Sequence, residues 1–168
     1  KHTNNSTMSF RSQTVSYPLF KGLFRNSKCT LTRNGLEEIQ SEWSPFNYLV
    51  NYLNKTYYVA PTLNHLTLIN HNIKRYQSLI RRATNPSEKL FLIGRLIHNL
   101  DLIHPFEDGN IRTFALILSQ ILLIKNGFFP VIYENPNRFD GLSSMEIAKM
   151  LDRDLKSTAD TFGLSYQS

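Results

Sequence analysis

His104, Asp108, Asn110 and Arg112 fall within the nine-residue stretch His104-Pro105-Phe106-Glu107-Asp108-Gly109-Asn110-Ile111-Arg112, directly ahead of an apolar run from Phe114 to Ile124. They supply a possible base, a hard carboxylate, an amide donor and a fork-shaped cation. A polar loop that opens a buried helix faces that helix's free backbone N–H groups. The partial positive charge there favours an anion, most often a phosphate. This set suits phosphoryl-type transfer to a hydroxyl.

Each residue also has a plainer use. A lone histidine is most often a packing residue, and His2, His65, His71 and His98 have no such company, so they read as structural. His104 differs: next to a helix N-terminus a second ring proton is disfavoured, and a neutral imidazole can take a proton from an attacking hydroxyl. Asp108 could be a simple helix-start carboxylate. Beside a phosphate it could instead hold magnesium together with phosphate oxygens and waters. Gly109-Asn110 lets the backbone come close to a phosphate. Arg112 can bind phosphate oxygens with two parallel hydrogen bonds. Phe106 alternates with the polar residues and reads as an anchor for the loop, and Glu107 as solvent-facing.

The elements that must carry this loop are mostly helical. At 168 residues one domain with a real core is expected, read as a flexible tail over 1–13 and a single domain over 14–168. Apolar residues make up 41% and charged residues 19%, ordinary for a globular protein. The net charge of +6 invites an anionic partner, but the basic residues are spread along the chain and nucleic acid is not the expected one. Cys29 is the only cysteine, which excludes an internal disulfide and a cysteine-based zinc site. No apolar run reaches the ~20 residues of a membrane span.

Asn34-Gly35 is a turn signal, and Leu36–Trp43 reads as a short helix. Ser44-Pro45 reads as the start of a helix to about Asn54 that buries Phe46, Leu49, Val50 and Leu53. Lys55–Pro61, aromatic and β-branched, predicts an extended segment or small hairpin and no larger sheet. Leu66, Ile69, Ile73, Tyr76, Ile80 and Ala83 share one helical face. Asn85-Pro86-Ser87-Glu88 opens a helix with Leu90, Ile93, Ile97 and Leu100 inward. It ends near Asp101. The helix from Asn110 to Asn126, stopped by Gly127, is apolar nearly all round and is expected at the centre of the domain. Ser143-Ser144-Met145-Glu146 is a capping box for a last helix with Ala148, Leu151, Leu155 and Phe162 on one face.

With Ile111 as its one departure, the stretch 104–112 resembles the core motif of Fic proteins, His-x-Phe-x-(Asp/Glu)-Gly-Asn-(Gly/Lys)-Arg. The similarity extends from about Tyr57 to Leu155. It implies an all-α Fic-fold bundle with a small β-hairpin flap. It also implies transfer of AMP from ATP, or a related group from another nucleotide, to a Ser, Thr or Tyr hydroxyl of a target protein. His104 would be the general base, Asp108 the Mg2+ ligand, and Gly109, Asn110 and Arg112 the phosphate cradle. Thr56, Tyr57 and Tyr58 would lie in the flap that aligns the target by strand pairing. Fic proteins occur in the bacterial cytoplasm and as effectors secreted into host cells, so both locations stay open.

Two positions depart from the adenylyl-transferring pattern. Ile111 stands where those members have Gly and Doc-type phosphate-transferring members have Lys, and Thr113 resembles the Doc pattern. Ala115 stands where a second arginine normally holds the ATP γ-phosphate. Losing that charge-assisted pair costs about 1.5–3 kcal/mol. Alternatives are therefore phosphocholine transfer from CDP-choline, phosphate transfer by the same site, or a catalytically silent domain that binds a partner. The family's inhibitory motif, (Ser/Thr)-x-x-x-Glu-(Gly/Asn), has its spacing in Thr84 and Glu88. Lys89 follows, and Glu88 is explained as a cap, so no built-in inhibition through that pair is expected.

Overall fold

A computed structural model describes residues 64–106, 108–135, 138–139 and 142–166, with 32–35 and 37–38, and the backbone of 16–18, 48–52 and 55–59. The tail at 1–13 and the helical expectation over 39–43 lie outside the described residues. The described fold is all-α in its body, with one small sheet. Among the described residues four long helical elements follow one another: α1 (His65–Ile80), α2 (Pro86–Ile103), α3 and α4 (Ser144–Phe162). α3 is a π-wound stretch, Arg112–Leu118, continuing as α-helix over Ser119–Lys125.

α2 is set by its first residues. Asn85 is extended, its Oδ1 accepts the Glu88 N–H at 2.7 Å, and Pro86 occupies the first turn, where no N–H is needed. The Glu88 carboxylate reaches back to the Thr84 N–H at 3.3 Å. Leu90, Ile93, Ile97 and Leu100 are all sealed in the core, as their spacing predicts. Leu92, Leu96 and Ile103 are buried as well, so α2 is enclosed on nearly every side, against α1, α3 and α4.

The central helix is therefore α2 and not α3. α3 turns Phe114, Ala115, Ser119, Leu122 and Leu123 inward, while Leu116, Ile117, Ile121 and Ile124 stay between 38% and 59% exposed. Apolar composition set the expectation, but α2 already occupies the middle, so α3 has only one face to pack. Other inward faces are shifted too. α1 buries Leu68, Asn72 and Tyr76 while Leu66 is exposed, and Phe162 at the end of α4 is exposed. The capping box of α4 forms as read, with the Ser143 and Glu146 side chains each serving the other's backbone N–H. Gly127 takes a left-handed φ of 90° just past α3.

The segment before α1 departs most from the sequence reading. In place of a helix to Asn54, Tyr48–Tyr52 is a strand (β2). It pairs antiparallel with β3 (Lys55–Val59), and Ser16–Pro18 (β1) pairs with the other edge of β3. Tyr-Leu-Val-Asn-Tyr favours a pleated surface as much as a helix, and an adjacent strand supplies the backbone partners. The order β1-β3-β2 makes the Lys55–Val59 strand the middle one. Residues 33–35 and 37–38 are helical, so Asn34-Gly35 sits inside a helical turn. That segment docks on the start of α4: the Glu38 carboxylate accepts from the Ser144 N–H and hydroxyl, and Glu146 accepts from Thr32.

Candidate active site

α2 ends where the chemistry begins. His104 adopts a left-handed backbone (φ 48°, ψ 55°), and its N–H donates to the Asp101 carbonyl at 3.0 Å, closing the helix. A left-handed conformation is uncommon for a residue with a side chain, though histidine is among the more tolerant, and such residues gather at functional sites. His104 thus caps the C-terminal end of α2. The sequence reading ended α2 near Asp101 and began the next helix at Asn110; α2 runs on to Ile103, and the next helix does begin at Asn110.

Between these points the loop is held by Asn110. Its side chain is buried, its Oδ1 accepts the Phe106 N–H at 3.0 Å, and its Nδ2 donates to the Phe106 carbonyl at 2.8 Å. The Phe106 ring stacks on Phe114 with centroids 5.7 Å apart, tying the loop to α3. Asn110 was expected in the phosphate cradle. Its amide spends both ends on the Phe106 backbone and so holds the shape of the loop. Phe106 is the anchor its position suggested.

Asp108 and Arg112 lie outside that clamp. Asp108 Oδ1 accepts the Gly109 N–H at 2.6 Å, and Oδ2 accepts from an Arg112 guanidinium nitrogen at 2.7 Å. Both side chains are well exposed, 89% and 67%, so the pair contributes little stability and is free to exchange partners. Gly109 has φ 86°, a conformation that suits glycine, and its carbonyl takes the Thr113 N–H at 2.9 Å. This is the first bond of the helical ladder, so the N–H groups of Asn110, Ile111 and Arg112 precede it and face the loop. The structure thus brings Asp108, Gly109 and Arg112 together at the helix mouth.

A magnesium ion fits this arrangement only jointly with a ligand. Among the described residues no group of three or more His, Cys, Asp or Glu side chains could hold a metal. A single exposed carboxylate beside the N–H groups of a helix start has the chemistry of Mg2+ sites in which one carboxylate shares the ion with phosphates and waters.

The two departures have structural explanations. Ile111 is partly buried and packs onto the core. Ala115 is fully buried, and its carbonyl accepts the Ser119 hydroxyl. The π-wound stretch runs through this region, a form found mostly in single turns and often at functional sites. Glu88 sits at the far end of α2, roughly 24 Å of helix from His104. The sequence reading gave no weight to Asp101, whose backbone fixes His104; the residue three before a left-handed cap is the signal for it. Thr56, Tyr57 and Tyr58 lie in the middle strand, where Tyr57 and Tyr58 pair with both β1 and β2 and Thr56 pairs with β2. The outer strands of the described sheet are therefore β1 and β2, and Tyr57 and Tyr58 lie inside it.

Comparison with known proteins agrees with the motif. The profile of the Fic/DOC family matches residues 17–122. The phosphocholine transferase AnkX of Legionella pneumophila is 31% identical over 104 residues, covering 62% of this chain and 11% of that protein. The protein adenylyltransferases fic-1 of Caenorhabditis elegans and Caenorhabditis briggsae are each 40% identical over 55 residues, covering 33% of this chain and 11% of theirs. The chain thus spans about a tenth of the length of these relatives. With more than half of its residues inside the family profile and the motif in place at the mouth of α3, the chain belongs to the Fic/DOC family.

Proposed function

We propose that the protein moves a phosphorus-centred group from a nucleotide to a Ser, Thr or Tyr hydroxyl of a target protein. The observation that carries this reading is the convergence of Asp108, Gly109 and Arg112 at the mouth of α3, with His104 fixed at the end of α2. In the reaction His104 accepts the proton of the hydroxyl as its oxygen bonds to phosphorus. The bond from phosphorus to the departing group, pyrophosphate from ATP or CMP from CDP-choline, breaks, and that group keeps the electron pair. Arg112 and the amides of the helix mouth bind the phosphate oxygens and hold the donor in line. Asp108 would hold Mg2+, which offsets phosphate charge when bound. An outer strand of the small sheet, β1 or β2, would align the target by strand pairing.

Two donors suit this chemistry. ATP would deliver AMP, the activity named for the fic-1 relatives, and CDP-choline would deliver phosphocholine, the activity named for AnkX. The buried Ala115 favours the second: no cation stands there to anchor a γ-phosphate, and the core leaves no room for one. Incubation with ATP or CDP-choline, Mg2+ and candidate target proteins, read by mass, tests both. Gain of a phosphocholine mass supports the diphosphate donor and gain of an AMP mass the triphosphate. Neither gain, with any target or nucleotide, leaves the silent binding module.

A further inference from the structure

The two charged groups at the mouth of α3 are spent on each other. Asp108 Oδ2 accepts from an Arg112 guanidinium nitrogen at 2.7 Å, and Oδ1 accepts the Gly109 N–H at 2.6 Å. Each carboxylate oxygen therefore already has a partner. The geometry follows from the helix. Side chains lean toward the N-terminal end of their helix, and residues four apart share a face. Arg112, in the first turn of α3, thus reaches back across the mouth. A Cβ built on Gly109 would stand 3.6 Å from its Nη2 and 3.8 Å from its Nε. The guanidinium lies over the glycine whose backbone a phosphate would approach.

This pairing treats a metal and a phosphate differently when they come singly and when they come together. A phosphate alone must draw Arg112 off Asp108, and then faces a bare carboxylate of its own sign. A divalent cation alone must draw Asp108 off Arg112, and leaves an unpaired guanidinium beside it. When both arrive, Asp108 turns to the metal and Arg112 to the phosphate oxygens, and each charge has a partner. One broken ion pair then serves two ligands. Binding of the two is coupled, and the coupling acts equally in both directions. Both side chains are well exposed, so breaking their pair changes affinity by no more than about fivefold.

We propose that the Asp108–Arg112 pair is a latch that favours a diphosphate carrying its divalent metal over the metal-free diphosphate or the free ion. The inference rests on the reading of Asp108 as metal ligand and Arg112 as phosphate ligand. NMR on the full chain tests it, following the Asp108 carboxyl carbon and the Arg112 Nε–H during titration with magnesium chloride. Sodium chloride at equal ionic strength controls for screening. Magnesium is expected to move both signals beyond the sodium control, and Asp108→Asn to abolish the Arg112 response. In calorimetry, Asp108→Asn should bind metal-free CDP-choline about two- to fivefold tighter than wild type, because Arg112 is released. An Asp108 response without an Arg112 response would overturn the latch and leave the metal reading standing. Silence of both signals would overturn the latch and the metal reading together. Equal or weaker binding of CDP-choline by Asp108→Asn would also overturn the latch.

Discussion

Phe106 and Asn110 hold each other through two hydrogen bonds, 3.0 and 2.8 Å long, that join the backbone of one to the side-chain amide of the other. The ring they close contains Asp108 and Gly109, so the amide fixes where the carboxylate and the glycine backbone stand relative to α3. Asn110→Ala leaves a part-buried N–H and a part-buried C=O of Phe106 without these partners. The expected cost is about 2–3 kcal/mol, seen by chemical denaturation. Transfer activity should fall further than that of Arg112→Lys, which keeps the charge and the loop.

Glu88 tests the expectation that no inhibition is built in. It caps α2 at the end away from His104. Glu88→Gly should leave the transfer rate within about twofold of wild type, while lowering stability by about 1 kcal/mol through the lost cap. A large activation would restore an inhibitory role to Thr84 and Glu88.

Gly94 tests the packing of the central helix. A Cβ there would stand 2.6 Å from Ile147 Cγ2 on α4. Gly94→Ala should destabilise the protein by about 1–3 kcal/mol, and the double variant with Ile147→Ala should lose less than the sum of the two single losses, because the clash is gone. Thermal melts of the single and double variants measure it.

Glu146 links stability to pH. Burial raises its carboxyl, but hydrogen bonds from Thr32, from Ser143 and from Asn34 outweigh that and hold it below the usual value. A carboxyl with a lowered folded pKa adds stability that is complete above its unfolded pKa and is lost as pH falls through the folded one. Unfolding midpoints from about pH 6 to pH 3 should therefore fall, and Glu146→Gln should flatten that part of the curve. An identical acid limb in the variant would remove Glu146 from the cause.

The motif, the caps at Asn85 and Ser143 and the inward face of α2 were legible in the sequence, because each depends on neighbours within one helical turn. The position of α3 was not. Its residues are apolar all round, and only the three-dimensional arrangement decides which helix takes the middle. The strand at Tyr48–Tyr52 escaped for a similar reason: Ser44-Pro45 is a sound local helix start, but the pairing with Lys55–Val59 overrides it. At the site the residue types were legible and their division of labour was not. Nothing local told that Asn110 would face Phe106 or that His104 would end α2.

The most direct test of the central claim is intact-mass measurement of candidate target proteins after incubation with the chain, Mg2+ and each of ATP, CTP, GTP, UTP and CDP-choline. The account predicts a mass gain equal to one nucleotide-derived phosphoryl group with at least one donor, absent in His104→Ala and strongly reduced in Asp108→Ala. The same gain, at the same rate, from the His104→Ala protein would contradict it.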